Sequence, residues 1–235
     1  MLEIKNISKT YKKSNKKAID DISLTIEDGD IYGFIGPNGA GKSTTIKCVV
    51  GIHKADSGTI IFNGKTIDEN PISYKKDIAY LPDNPELYEH LTGIQYIDFV
   101  CNIYGVKEEK NELIHKYATL FGIEDKLSDY ISTYSHGMKQ KVALISALCH
   151  KPKLFILDEP FVGLDPKASH DLKECINELV KNGSMVFFSS HVLEVVEKFC
   201  NKVAIIKDGR IVESGTIESI KGDSSLEDKF LELFE

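Results

Sequence analysis

Three short stretches carry residue types at spacings that could handle phosphate. The first is "GPNGAGKST", Gly36 to Thr44, which fits the pattern G-x-x-x-x-G-K-[ST]. In that pattern the loop Gly36, Pro37, Asn38, Gly39, Ala40, Gly41 curls so that successive backbone N–H groups point inward at an anion. The helix that follows presents its positive end, Lys42 reaches β and γ phosphates, and Ser43 can ligate magnesium. Average residue usage yields such a match by chance in roughly one chain of this length per hundred. The apolar "IYGFI" before it and the helix-patterned "KSTTIKCVVG" after it argue further against an idle glycine turn. The second stretch is "LFILDEP", 154 to 160. Four apolar residues carry the chain through a core and deliver Asp158 to a strand's C-terminal edge, where ligands of open α/β sheets sit. Asp158 would hold the magnesium shell through Ser43 or water, leaving Glu159 to orient and deprotonate an attacking water. The third is "YSHGMKQK", 134 to 141, where Ser135 could cap a helix and Gly137 would admit backbone N–H groups near an anion. Taken alone, it reads first as a capped amphipathic helix.

The elements that must position these groups follow from hydrophobic period. "LEIKNISKTY" and "ISLTIEDGDIYGFIG" read as antiparallel strands feeding a buried strand at Ile31 to Ile35. "GTIIFNGKTI" is a hairpin through Asn63-Gly64, and "DIAYLP" closes this mixed β region. From Thr92 to Cys149 the period becomes helical. Thr92 caps "TGIQYIDFVCNIYG", and "KEEKNELIHKYATLFG" puts Leu113, Ile114, Tyr117, Leu120 and Phe121 on one face. "LFILDEP", "MVFFSSH" and "KVAIIKDG" are then short apolar runs separated by a helix at about 167 to 182, the mark of a parallel sheet covered on both faces. The expected division is 1–82, antiparallel β and phosphate loop; 83–150, a helical subdomain; 151–220, the rest of an α/β core; and 221–235, a terminal helix.

Composition narrows the field. With 42% hydrophobic and 28% charged residues over 235 positions, the chain is neither a disordered nor a fibrous sequence. No apolar run approaches the roughly 20 residues that cross a bilayer, and "MLEIKNISKT" lacks a secretory h-region, so a soluble cytoplasmic protein is expected. Five cysteines without a CxxC read as reduced structural thiols. A formal charge of −7 argues against a nucleic-acid partner, with the basic "YKKSNKK" (11 to 17) read as a solvated hairpin loop. Arg210 is the sole arginine, which leaves almost no material for an arginine finger.

The order of motifs resembles one family, the nucleotide-binding subunits of ATP-binding cassette (ABC) transporters. The resemblance spans about residues 1 to 220 and rests on Walker A "GPNGAGKS", the signature-like "YSHGMKQ", Walker B "LFILDEP", the D-loop "GLDP" (163 to 166) and the switch histidine of "SSHVLE". It implies a P-loop NTPase (RecA-like) α/β core with an antiparallel β subdomain and an inserted α-helical subdomain. It implies that Tyr11 stacks on the adenine of ATP, and that His191 contacts the γ phosphate and holds Glu159 and water. Ser135, Gly137 and Asp165 would act in trans, on ATP sandwiched head to tail between this chain and a second ATPase subunit, identical or different. Two departures stand out. The family's usual glutamine after the "IAYLP" strand is replaced by Asp83 or Asn84, with Asp83 a candidate for the metal shell. His136 stands where the signature commonly has glycine.

The resemblance thus implies an ATPase that uses ATP and Mg2+, sits on the inner face of the cell membrane and drives an integral membrane transporter subunit. It is most like the ABC-2 type export group, whose signatures often read S-x-G-M. A non-transport ABC ATPase with a regulatory or mechanical role is the alternative. "PDNPELYEHLTGIQY" would contact the transporter through exposed Pro85, Leu87, Tyr88 and Tyr96, unless these serve as core, and the tail, with Leu226, Phe230, Leu233 and Phe234 apolar, would serve packing or a dimer contact.

Overall fold

The computed structural model describes residues 1–12 and 16–234. The hairpin-loop expectation for 11 to 17 falls partly on residues 13–15, which lie outside the described residues.

Strands β1 (Leu2–Thr10) and β2 (Lys17–Ile26) pair antiparallel and turn Leu2, Ile4, Ile7, Ile19 and Ile22 inward. β3 (Ile31–Ile35) is buried at every position, as a strand covered on both faces must be. The glycine loop follows and opens α1 (Lys42–Val49). β4 (Ser57–Phe62) and β5 (Lys65–Thr66) then turn through Asn63 and Gly64, at φ of 49° and 76°. Both angles are the left-handed ones that a tight two-residue hairpin demands. These strands complete a four-stranded sheet in the order β2-β1-β4-β5. A short α2 (Pro71–Lys76), capped by Asn70, leads into β6 (Ile78–Leu81).

Helices follow. In α3 (Gly93–Tyr104), Thr92 and Gln95 form a reciprocal capping box, and Gly105 closes the helix in a left-handed conformation. α4 (Lys110–Leu120) buries Leu113, Ile114 and Tyr117, with Phe121 buried just beyond it and Leu120 half-buried. α5 (His136–Cys149) follows the capping Ser135. The chain returns to a sheet with β7 (Leu154–Asp158), α6 (Pro166–Lys181), β8 (Met185–Ser190), α7 (Leu193–Phe199), β9 (Lys202–Lys207) and β10 (Arg210–Thr216). The six-stranded order is β10-β9-β3-β8-β7-β6, parallel except for the antiparallel β10. No apolar run marks β10, because none of its side chains is fully buried.

Alternating residues of this sheet feed two cores. Phe34, Ile156 and Phe187 pack toward α1 and the four-stranded sheet, whereas Phe155, Leu157 and Phe188 pack toward the helical layer. Each such side chain contributes roughly 1.5–3 kcal/mol by leaving water. α8 (Ile217–Lys221) and α9 (Leu226–Phe234) end the chain. Leu226 is buried, Phe230, Leu233 and Phe234 pack against the same core, and Lys207 lies over the Phe234 ring at 4.9 Å. The tail's apolar face is therefore used within the chain. The five cysteines are free thiols. Among the described residues, no helix is long and apolar enough to cross a membrane.

Candidate functional site

The glycine loop leaves the C-terminal edge of β3 under tight steric control. A Cβ at Gly36 would lie 2.3 Å from the Ile206 carbonyl oxygen. At Gly41, φ is 114° and a Cβ would meet the Ala18 carbonyl at 2.6 Å. Only glycine lets β2, β9 and the loop approach so closely. Lys42 Nζ donates to the Gly36 and Pro37 carbonyls at 2.6 and 3.3 Å, tying the loop to its own helix. Burial pulls the Lys42 ammonium below the usual lysine range, and the negative charges of Glu159 and Asp158 oppose that shift.

A cleft of about 350 Å³ opens in front of the loop, lined by Asn38, Gly39, Gly41, Lys42, Ser43 and Thr44 together with Asp83, Asp158 and Glu159. A smaller recess beside it, about 160 Å³, is lined by Tyr11 and shares Ala18 and Gly39 with the cleft. The Tyr11 hydroxyl lies 3.3 Å from Thr44 Oγ1, and its ring stands edge-on to His53 at 5.5 Å. The recess thus places an aromatic face within reach of the phosphate end of the cleft.

β7 and β8 build the opposite wall. Their register sets Asp158 beside Ser189, whose hydroxyl donates to Asp158 Oδ1. The Ser189 carbonyl accepts the Glu159 N–H at 3.2 Å. Glu159 leaves the strand at a φ of 50°, an uncommon conformation for a side-chain-bearing residue and one that collects at functional sites. His191, just past the end of β8, brings Nδ1 to 2.9 Å from Glu159 Oε1. Ser189 belongs to no motif in the sequence; its one signal is that the serines ending "MVFFSS" pair in register with the end of "LFILD". Ser43, Asp83 and Asp158 offer the hard oxygen donors that suit magnesium, all on one cleft.

Ser135, Gly137 and Asp165 are not among the residues lining this cleft. Ser135 caps α5, accepting the Met138 N–H at 3.3 Å. Asp165 caps α6 through the Ala168 N–H at 2.8 Å and pairs with Lys141 at 2.8 Å. Gly137 has a packing reason to be glycine beyond the anion reading, since a Cβ there would sit 2.8 Å from the Gly163 carbonyl. The His136 ring rests against Gly163, where an added Cβ would meet it at 2.7 Å.

The expected transporter-facing apolar residues need correction. Pro85 is buried, Leu87 and Tyr96 are half-buried, and only Tyr88 is largely exposed, at 52%. They line or flank a groove of about 320 Å³ between β6, α3 and α5. Exposed Phe99 of α3 stands edge-on to Tyr88 at 5.7 Å, and the same helix also exposes Ile94 and Ile103. The loop at 82–91 has no period from which exposure could be read, whereas the outward face of α3 does.

Comparison with known proteins agrees with this architecture. The family model described as "ABC transporter" matches residues 19–162. The ABC-type transporter ATP-binding protein EcsA of Bacillus subtilis is 36% identical, over 99% of this chain and 96% of its own. SkfE, the SkfA peptide export ATP-binding protein of the same organism, is 34% identical over 91% and 88%. A solved structure described as the ATP binding subunit of an ABC transporter superposes with a TM-score of 0.95, at 35% identity and full coverage of both chains. With the phosphate loop, the Asp158–Glu159 edge and the inserted helices in the expected order, the chain belongs to the ABC transporter family, as an ATP-binding, ATP-hydrolysing protein.

Proposed function

We propose that this chain is the ATPase subunit of a membrane exporter of the ABC-2 type, working as a head-to-tail pair with a second ATPase subunit. The observation that carries the reading is the separation of two phosphate-facing features. The cleft holds Lys42, Ser43, Asp158 and Glu159, while the capped start of α5, with Ser135 and Gly137, stands outside its lining. A second copy facing the first would bring that start to the γ phosphate. Asp165 would run along the same interface.

In this reading Tyr11 stacks on adenine, and the loop N–H groups with Lys42 hold the β and γ phosphates. Ser43 and Asp158 would hold Mg2+, with Asp83 in its shell directly or through water. Once bound, the ion would offset the charge that develops on the phosphate oxygens. Glu159 takes a proton from the attacking water as its oxygen bonds to the γ phosphorus and the bridging oxygen leaves with ADP. His191 holds Glu159 in that pose. Arg210 is engaged elsewhere, bonded to Asp20 at 2.9 Å through Nε, so Lys42, His191 and the partner's helix start meet the phosphate charge.

The groove beside α3 would receive the membrane subunit, which puts the chain peripherally on the inner face of the membrane. The S-x-G-M form of the signature and the export named for SkfE support the exporter assignment. Sizing chromatography of Glu159→Gln tests the pairing: a dimer is expected under saturating ATP and Mg2+, and a monomer there overturns it. Copurification with ribosomes instead of a membrane protein would favour the non-transport alternative.

A further inference from the structure

The start of α5 is fastened to the loop that follows Glu159. Gln140, with no exposed surface, donates from Nε2 to the Pro160 carbonyl at 2.9 Å. Lys141 pairs with Asp165 at the far end of that loop. Gly137 and His136 lie against Gly163 in between. The Gln140 amide orientation is fixed by chemistry, because a carbonyl can only accept and the nitrogen must therefore face Pro160. Its oxygen is left buried without a hydrogen-bond partner, and a Cβ at Gly163 would lie 3.1 Å from it. Buried polar atoms of this kind are rare enough in native folds to require an explanation.

We propose that Gln140 is a positioning residue for hydrolysis. It fixes the residue next to Glu159 and leaves its oxygen ready to accept an N–H from the 162–164 turn when that loop tightens for turnover. Glu159 departs from β7 at a positive φ; its N–H is held by Ser189 and its carbonyl by the Val162 N–H at 3.2 Å, while its carboxylate meets His191. Pro160 is therefore the handle by which α5 sets the carboxylate. The same helix begins with Ser135, so engagement of that serine and placement of Glu159 move together. The inference rests on Glu159 being the group that activates water.

Gln140→Met fills the same volume without the amide. In the full chain with Mg-ATP, kcat is expected to fall at least tenfold while KM for ATP stays within twofold, the pattern of a contact that matters only in the transition state. Gln140→Glu sharpens the test and stands in for the first variant should that one fail to fold. Its carboxylate cannot donate to Pro160, but its protonated form can, and burial favours the protonated form. Its kcat relative to the parent should rise as pH is lowered from 8 to 6, which loss of packing alone would not produce. Unchanged kcat in Gln140→Met, an equal change in KM, or a flat pH ratio in Gln140→Glu overturns the inference. Glu159→Gln run alongside separates the premise: if that variant still turns over, the assignment of Glu159 fails, whatever Gln140 does.

Discussion

Two helix starts in this molecule are suited to anions, and they are built differently. α1 begins after Gly41 with no side-chain cap, so the N–H groups of its first turn are left for a ligand. Around it stand Lys42, the acidic edge of β7 and Asp83. α5 begins with its cap in place, Ser135 on the Met138 N–H, and is backed by its own chain at Gly163. Its nearby cations are already committed, Lys139 to Glu89 and Lys141 to Asp165. In the proposed reading α1 is set in the site that binds and reacts, whereas α5 offers a partial positive charge and a hydroxyl outward. A helix N-terminus favours an anion through its free N–H groups and its dipole, and in the proposed reading α5 meets that anion on the surface of a second subunit.

The sharpest way to break this contrast is on the α1 side. Glu159→Gln keeps size and hydrogen-bonding capacity but removes the proposed base, so turnover should drop about 10²–10⁴-fold with ATP affinity retained. Steady-state hydrolysis with a nucleotide-binding titration checks it, and substantial residual turnover would move the base elsewhere in the cleft. On the α5 side, Ser135→Arg places a long cation where the outward hydroxyl sits. ATP binding by the monomer should hold within about twofold, while turnover falls on the order of 100-fold because the second half of the site cannot dock. Loss of monomer binding would instead show that α5 serves its own cleft.

The two regions were also unequally legible in the sequence. "GPNGAGKST" encodes its role locally, because each glycine, Lys42 and Ser43 acts within a few residues of its neighbours. Ser135 as a cap is local too. The reasons behind Gly137 and Gln140 are not, since they involve Gly163 and Pro160, twenty or more residues on, and are visible only once the chain after β7 returns to the start of α5. The same holds for Ser189, which reaches Asp158 through strand register, and for Pro85, which is buried beside the groove that β6, α3 and α5 form together. Periodicity identified the longer strands and helices that bury a face. It missed β10, whose side chains are not fully buried, and the short helices α2, α7 and α8, each of seven residues or fewer.

Asp83 tests how far α1's enclosure extends. It lines the cleft where the family usually has glutamine, and its Oδ1 accepts the Asn84 N–H at 2.8 Å. If it belongs to the metal shell, Asp83→Ala should raise the Mg2+ concentration for half-maximal turnover about tenfold, the loss typical of an outer-shell ligand. Maximal turnover at saturating Mg2+ should change less. A magnesium dependence that does not move would place Asp83 outside the shell and narrow the α1 site to Ser43 and Asp158.

The smallest effect concerns how α5 is held when no second copy is present. Lys141 hydrogen-bonds the Asp165 carboxylate, and with the Ala168 N–H it keeps that acid below the ordinary aspartate range. A lowered carboxylate contributes stability that is fully present above the unfolded-state value near 3.9 and is lost as pH falls through the folded one. The Asp165 side chain is 51% exposed, so solvent screens most of the ion pair and the helix cap carries the larger share, about 1 kcal/mol. Asp165→Ala, melted without nucleotide at pH 7, should therefore lose about 2–4 °C. The gap between variant and parent should narrow as pH falls from about 4 through the lower folded-state value, below which the parent's carboxylate is protonated too. A gap that persists there would trace the loss to backbone changes at the start of α6, and Asp165 would no longer serve to anchor α5 to the catalytic loop.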